Sequence, residues 1–357
     1  MTKEEYKAIL AEKDYDFLRN DKRLSNIMLL GLGGSHAYGT NIEGSDLDVR
    51  GAALNSKSEI LLGRDFEQVT NSVTDTTIYS FKKIIELLRQ CNPNTIEILG
   101  LKPEHYLKVS KEGKLLLNHK DIFLSQRAAY TFGGYANQQL RRLENCSSHR
   151  ADQPRQEEHL LRSLQRVKES ITERGFADAE TVRLYADKSD KENMQSEIFF
   201  DAALSHCSLR DFAAIYGELS NVVREYSKMG ARNSKALEHG KLAKHSMHLV
   251  RLYYMCFDIL EKGEINTYRE KEHDLLMDIR SGKYLDENNQ PIPEFFEMVN
   301  ELEKRLDYDK KNTFLPVQPD NELIDELVME INSRVLAKTK GKESLYAKEE
   351  NANNIVR

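Results

Sequence analysis

Residues Leu32–Gly51 read LGGSHAYGTNIEGSDLDVRG, and this stretch decides the fold of the chain's first third. Ahead of it, Asn26-Ile27-Met28-Leu29-Leu30 is a short apolar run that stops at Gly31-Leu32-Gly33-Gly34-Ser35. An apolar run bounded by glycines predicts a buried strand feeding a turn. Leu47–Leu54 predicts a second strand. Strand residues i and i+2 share a face, so Asp46 and Asp48 are expected to project together while Leu47 and Val49 face the core. Two carboxylates on one face repel, and a bound Mg²⁺ or Mn²⁺ relieves this, because hard cations take carboxylate and phosphate oxygens together. Gly33-Gly34-Ser35 lies where strand gives way to turn, and exposed backbone N–H groups there can cradle a phosphate. Singly, an Asp-x-Asp is a common strand end and a Gly-Gly-Ser a common turn. Jointly they form apolar-Gly-Ser, ten residues, then Asp-apolar-Asp-apolar. A chance match in a chain this long is on the order of a few per thousand at average residue usage.

Working outward, residues 3–20 predict an amphipathic helix through Tyr6, Ile9, Leu10, Phe17 and Leu18. Asp75–Tyr79 predicts a third strand, entering a helix whose Phe81, Ile84, Ile85, Leu87 and Leu88 share one face. Asn92-Pro93-Asn94 ends that helix, since proline lacks the N–H to continue it. Ile96–Leu99 then reads as a short strand or extended segment. Strands alternating with helices argue for an α/β domain over residues 1–120. Beyond it glycine thins out and helical patterns dominate, at 124–146, 155–173, 195–205, 208–228, 234–262, 269–280, 293–308 and 320–338. The expected fold class is therefore α+β: an N-terminal α/β domain with a small mixed sheet, an all-helical domain over 121–340, and a polar tail over 341–357.

Composition narrows the function. The chain has 357 residues, 31% charged and 39% hydrophobic, with a mean hydropathy of −0.62. It holds no run of ~18 apolar residues, so no membrane span is expected. The charged start Met1-Thr2-Lys3-Glu4-Glu5 shows no secretory h-region. Cys91, Cys146, Cys207 and Cys256 stand singly, which excludes a CxxC zinc site and gives no disulfide framework. A reduced, cytoplasmic protein is expected. A net charge of −6 excludes a generally basic, non-specific duplex binder, so any nucleic acid needs a local basic surface. Arg141, Arg142, Arg150, Arg155, Arg162 and Arg166 are locally dense, but Glu144, Glu157 and Glu158 interleave, as on a solvated helix face, with an RNA-contacting surface the alternative.

The segment around Asp46 and Asp48 resembles the active-site signature of the DNA polymerase β nucleotidyltransferase superfamily. More narrowly, it is similar to the RNA-repair-associated RlaP group, through Gly34-Ser35, Ala37-Tyr38-Gly39 and Ser45-Asp46-Leu47-Asp48-Val49-Arg50-Gly51. The resemblance implies a metal-dependent nucleotidyltransferase that moves a nucleoside monophosphate from an NTP to an acceptor hydroxyl and releases pyrophosphate. It implies Asp46, Asp48 and Asp75 as catalytic metal ligands, with Asp75 as general base on the attacking hydroxyl. Asn92-Pro93-Asn94 before Glu97 also resembles the family, and Glu97 is expected either to orient the site or to serve as a local cap.

Gly34, Ser35, Tyr38, Arg50 and Lys82 are the expected nucleotide-binding residues of the first domain. In the helical part, Lys244, His248 and Arg251 fall at i, i+4 and i+7 on one helix face, resembling a family Lys…His…Arg-Leu helix that would suit a triphosphate. The acceptor implied by analogy is an RNA end, tRNA included. Nucleotidylation of a small molecule or protein stays open, as does a non-catalytic nucleotide sensor. His36 and the weakly matching residues 145–235 depart from the family pattern.

Overall fold

Six consecutive buried residues, Ile27–Leu32, form the central strand β1 of the computed structural model. The structure describes residues 2–148, 182–188, 196–204, 207–213, 215–217, 219–220, 242–287 and 289–338. β1 pairs antiparallel with β2 (Val49–Ala53) on one side and with β5 (Tyr106–Val109) on the other. β3 (Gln68–Asn71) and β4 (Thr76–Ser80) complete a mixed sheet of order β3-β4-β2-β1-β5, with β2 and β4 parallel. The fold class is α+β.

Two helices of this unit form for legible reasons. Phe81–Arg89 begins where the Ser80 side chain accepts the Lys83 N–H, and it buries Phe81, Ile84, Ile85 and Leu88. Asn321–Lys338 buries Ile324, Leu327, Ile331 and Val335, and is tied by Arg89 to Asn321 and Asp325 and by Lys338 to Glu112. Among the described residues, no helix is long and apolar enough to cross a membrane.

The chain divides into two compact units. The first comprises Met1–Tyr135, Arg251–Leu276 and Leu302–Arg357, so the sheet's unit is completed by chain that returns from far along the sequence. The second comprises Ala136–Val250 and Met277–Glu301.

Several local expectations are corrected. Residues 3–20 are not one helix: Lys3–Leu10 ends early, and Arg19 folds back to donate to the carbonyls of Leu10, Ala11 and Glu12 that a continuing helix would occupy. Ile96–Leu99 is not a strand. Asn92 caps a short helix at Pro93–Ile96, where Pro93 loses no hydrogen bond, and a 3₁₀ turn follows at Glu97–Gly100. Within the helix expected at 195–205, Ser196–Ala202 is a strand instead. β6 (Val182–Lys188) and β7 (Ser196–Ala202) form an antiparallel ribbon whose Tyr185 and Phe199 stack across the strands at 5.8 Å. A cross-strand aromatic pair and β-branched or aromatic residues outweigh the helical spacing there. The helix expected at 155–173 and the tail at 341–357 lie outside the described residues.

Candidate active site

The turn after β1 and the lead-in to β2 are stitched side by side, because Leu32 pairs with Val49 and the Gly33 N–H donates to the Asp48 carbonyl at 2.8 Å. Gly33 then caps the short helix Gly34–Tyr38, which Gly39 closes at φ +76°. Gly34 has φ +54°, and a Cβ placed on it would lie 1.5 Å from Asp48 Oδ2. Glycine is required here twice over, for the left-handed backbone and for the carboxylate lying against its Cα. Ser35 and His36 are buried, and His36 Nδ1 lies 3.1 Å from the Tyr6 hydroxyl.

Asp46 is exposed and Asp48 half-buried. Both sit in the extended segment before β2 rather than inside it, and Leu47 is only half-buried. The structure adds a residue that spacing alone did not single out. Tyr15 is buried and its hydroxyl donates to the Leu47 carbonyl at 3.4 Å. Burial first, and then the negative field of Glu12, Asp14, Asp48 and Asp46, push that phenol above its ordinary value. Tyr15 thus stands beside the aspartate segment from a region the sequence reads only as helix.

Asp75 does not open strand β4, which starts at Thr76. It occupies the preceding position with φ +41°. The parallel register Val49↔Thr76 nonetheless places Asp75 and Asp48 at the same end of neighbouring strands. Arg50 reaches across, donating to the Asp75 backbone carbonyl and pairing with its carboxylate at 3.3 Å. Among the described residues, no group of three or more His, Cys, Asp or Glu is placed to hold a metal ion. Asp46 and Asp48 offer the oxygen donors a hard cation takes, but a three-carboxylate set is not preassembled.

Tyr38, Glu97 and Arg251 form a buried cluster. The Tyr38 hydroxyl donates to Glu97 Oε2 at 2.9 Å, and the Arg251 guanidinium lies 3.6 Å from the Tyr38 ring centroid. Arg251 Nη1 stands 3.5 Å from Glu97 Oε2 and 3.0 Å from Met255 Sδ. Burial pushes the Glu97 carboxyl above its ordinary value, against the opposing pull of Arg251 and of the Tyr38 hydroxyl. Burial likewise raises the Tyr38 phenol, with Arg251 opposing it.

The remaining candidates lie elsewhere. Arg251 is 1% exposed and belongs to the first unit, while Lys244, exposed, and His248, half-buried, belong to the second. Their shared helix, Leu242–Phe257, therefore does not present three solvent-facing cations. Lys82 follows the far end of β4 from Asp75, pairs with Asp65 at 3.4 Å, and donates its N–H to Asn55 Oδ1.

Residues 4–175 match a family model described as RlaP, RNA repair pathway DNA polymerase beta family. This region of the chain is similar to the RlaP family. No curated protein and no solved structure matches. Gly34, Ser35, Tyr38, Asp46, Asp48, Arg50, Asp75, Lys82 and Glu97 all fall inside the RlaP match, whereas Lys244, His248 and Arg251 lie beyond it. The family name points to a polymerase-β-like nucleotidyltransferase.

Proposed function

We propose that the chain is a metal-dependent nucleotidyltransferase that transfers a nucleoside monophosphate from an NTP to a hydroxyl at an RNA end, releasing pyrophosphate. The observation that carries this reading is the Gly33–Gly34 turn closed onto Asp48, with Asp46 exposed two residues away. Asp46 and Asp48 would hold a divalent cation, Mg²⁺ or Mn²⁺, and that cation supplies charge neutralisation at the transferred phosphate. The chain's own part is positional. The glycine turn fixes the Asp48 carboxylate, and the parallel β2–β4 register brings Asp75 to the same strand ends, where on leaving Arg50 it would accept the attacking hydroxyl's proton.

Ser35 and Arg50 border this turn, and their assignment to phosphate is part of the same proposal. Tyr38 and Arg251 act beneath it, through Glu97, as packing that sets the helix in place.

The test is incubation of the full chain with α-labelled NTPs, Mg²⁺ or Mn²⁺, and total RNA, protein or small metabolites. Label should pass to RNA with the wild type. Asp46→Ala and Asp48→Ala should abolish transfer with melting curves unchanged or slightly raised, because one of two repelling carboxylates is removed. Full transfer by either variant would remove the metal assignment. Label on protein or metabolites instead would replace the acceptor.

A further inference from the structure

The loop after the helix Leu242–Phe257 packs against the C-terminal end of the short helix Gly34–Tyr38. A Cβ on Gly39 would lie 2.4 Å from the Tyr268 ring, and the Arg269 N–H donates to the Tyr38 carbonyl at 3.0 Å. The same loop lines a polar cavity of about 560 Å³. Its floor is a neutralised ionic lattice: buried Arg269 holds Asp258 at 2.5 Å and Glu272 at 2.7 Å, and Lys262 takes the second oxygen of Asp258 at 2.5 Å. Burial raises the Asp258 carboxyl, but Lys262 and Arg269 more than offset this and keep it below the ordinary value. The floor's acids are thus already balanced.

Three further lysines line the cavity. Lys102 lies over the Tyr268 ring at 3.5 Å from its centroid, and Lys120 and Lys271 have no carboxylate partner among the described residues. Glu264 and Glu270 alternate with them, and both are exposed. Lysines spread over a cavity of this size suit several phosphates along a strand rather than one compact anion. Interleaved carboxylates suit a ligand that also brings hydroxyl donors. A ribose strand offers both, since its phosphates accept and its 2′-hydroxyls donate.

We propose that this cavity binds the backbone of a single-stranded RNA whose end is presented to the Gly34–Asp48 turn, with Lys102, Lys120 and Lys271 on its phosphates and Glu264 and Glu270 available to its 2′-hydroxyls. The proposal rests on the RNA-acceptor reading above.

The test uses no NTP and no metal. The full chain is titrated, in EDTA, into a fluorescein-labelled single-stranded RNA, the same sequence as DNA, and inorganic pyrophosphate, over a range of salt. Lys120→Ala/Lys271→Ala removes two phosphate contacts. The slope of log K against log salt should therefore become shallower by about 1.4. Taking equal affinities at ~1 M salt, this is about 25-fold weaker RNA binding at ~0.1 M. Lys3→Ala/Lys57→Ala, matched in charge but placed elsewhere, should leave RNA binding unchanged, and DNA should bind more weakly than RNA.

Equal affinity and slope in the cavity variant and the wild type would overturn the site, as would lysine-dependent binding of pyrophosphate without RNA. Lysine-dependent RNA binding in a chain that transfers no nucleotide would overturn the transfer reading and leave this site standing.

Discussion

Gly34 and Gly63 separate backbone strain from chemistry. Both have positive φ, at +54° and +63°, but a Cβ at Gly63 meets open space while one at Gly34 meets the Asp48 carboxylate. Alanine at either position costs about 1–2 kcal/mol of left-handed strain. Gly34→Ala should in addition push Asp48 aside. We expect both variants to melt a few degrees lower. Only Gly34→Ala should lose the rise in melting temperature on adding Mn²⁺, together with nucleotidyl transfer. Calorimetric melts with and without Mn²⁺ decide it, and a retained Mn²⁺ shift in Gly34→Ala would detach the turn from the metal.

At the scale of elements, the buried Glu97–Arg251 pair joins the turn at Glu97–Gly100 to the helix Leu242–Phe257. Removing one partner leaves a charge uncompensated in the interior, so Arg251→Ala should lose about 3–5 kcal/mol in urea unfolding. Arg251→Ala/Glu97→Gln should recover part of that, and a loss below ~1 kcal/mol in the single variant would mean the pair is solvated.

The pH dependence follows from the raised Glu97 carboxyl. A folded-state value above the unfolded one stabilises fully below the unfolded value, and that contribution is lost as pH rises through the folded one. Wild type should therefore lose stability relative to Glu97→Gln as pH climbs from about 4.5, while Glu97→Gln gives a flatter profile. Equal slopes would mean that Glu97 ionises as freely as in water.

On the scale of the molecule, the sheet's unit is discontinuous, drawing on residues 251–276 and from 302 onward as well as the N-terminal part. The buried face of Asn321–Lys338 and the Thr267 hydroxyl bond to the Glu97 carbonyl come from these returning segments. Residues 1–135 expressed alone should accordingly show no cooperative thermal transition, since four buried apolar side chains of that last helix are missing. A sharp melt matching the full chain would make the returning segments accessory. Within the full chain, Ile331→Ala should cost about 2–5 kcal/mol, because this fully buried side chain leaves a cavity.

The local sequence determined what depends on a few neighbours: the strand at Ile27–Leu32, the glycine turn after it, and the helix Phe81–Arg89. Period, capping and turn chemistry act over a handful of residues, and these elements obey them. Asn92-Pro93 was legible as a helix stop but not as the start of the next helix, because proline serves both roles. Ser196–Ala202 carried a helical spacing that pairing with Val182–Lys188 overrode. Long-range packing decided the rest. Arg251 reads in sequence as an open cation on a lysine-histidine-arginine face, yet the fold buries it against Tyr38 and Glu97, 154 residues away from its carboxylate partner. Asp75 reads as a third carboxylate, and the approach of Arg50 across two parallel strands determines what it touches. Tyr15 and Tyr268 reach the site from distant segments, because contacts across the fold depend on chain closure, which no local pattern records.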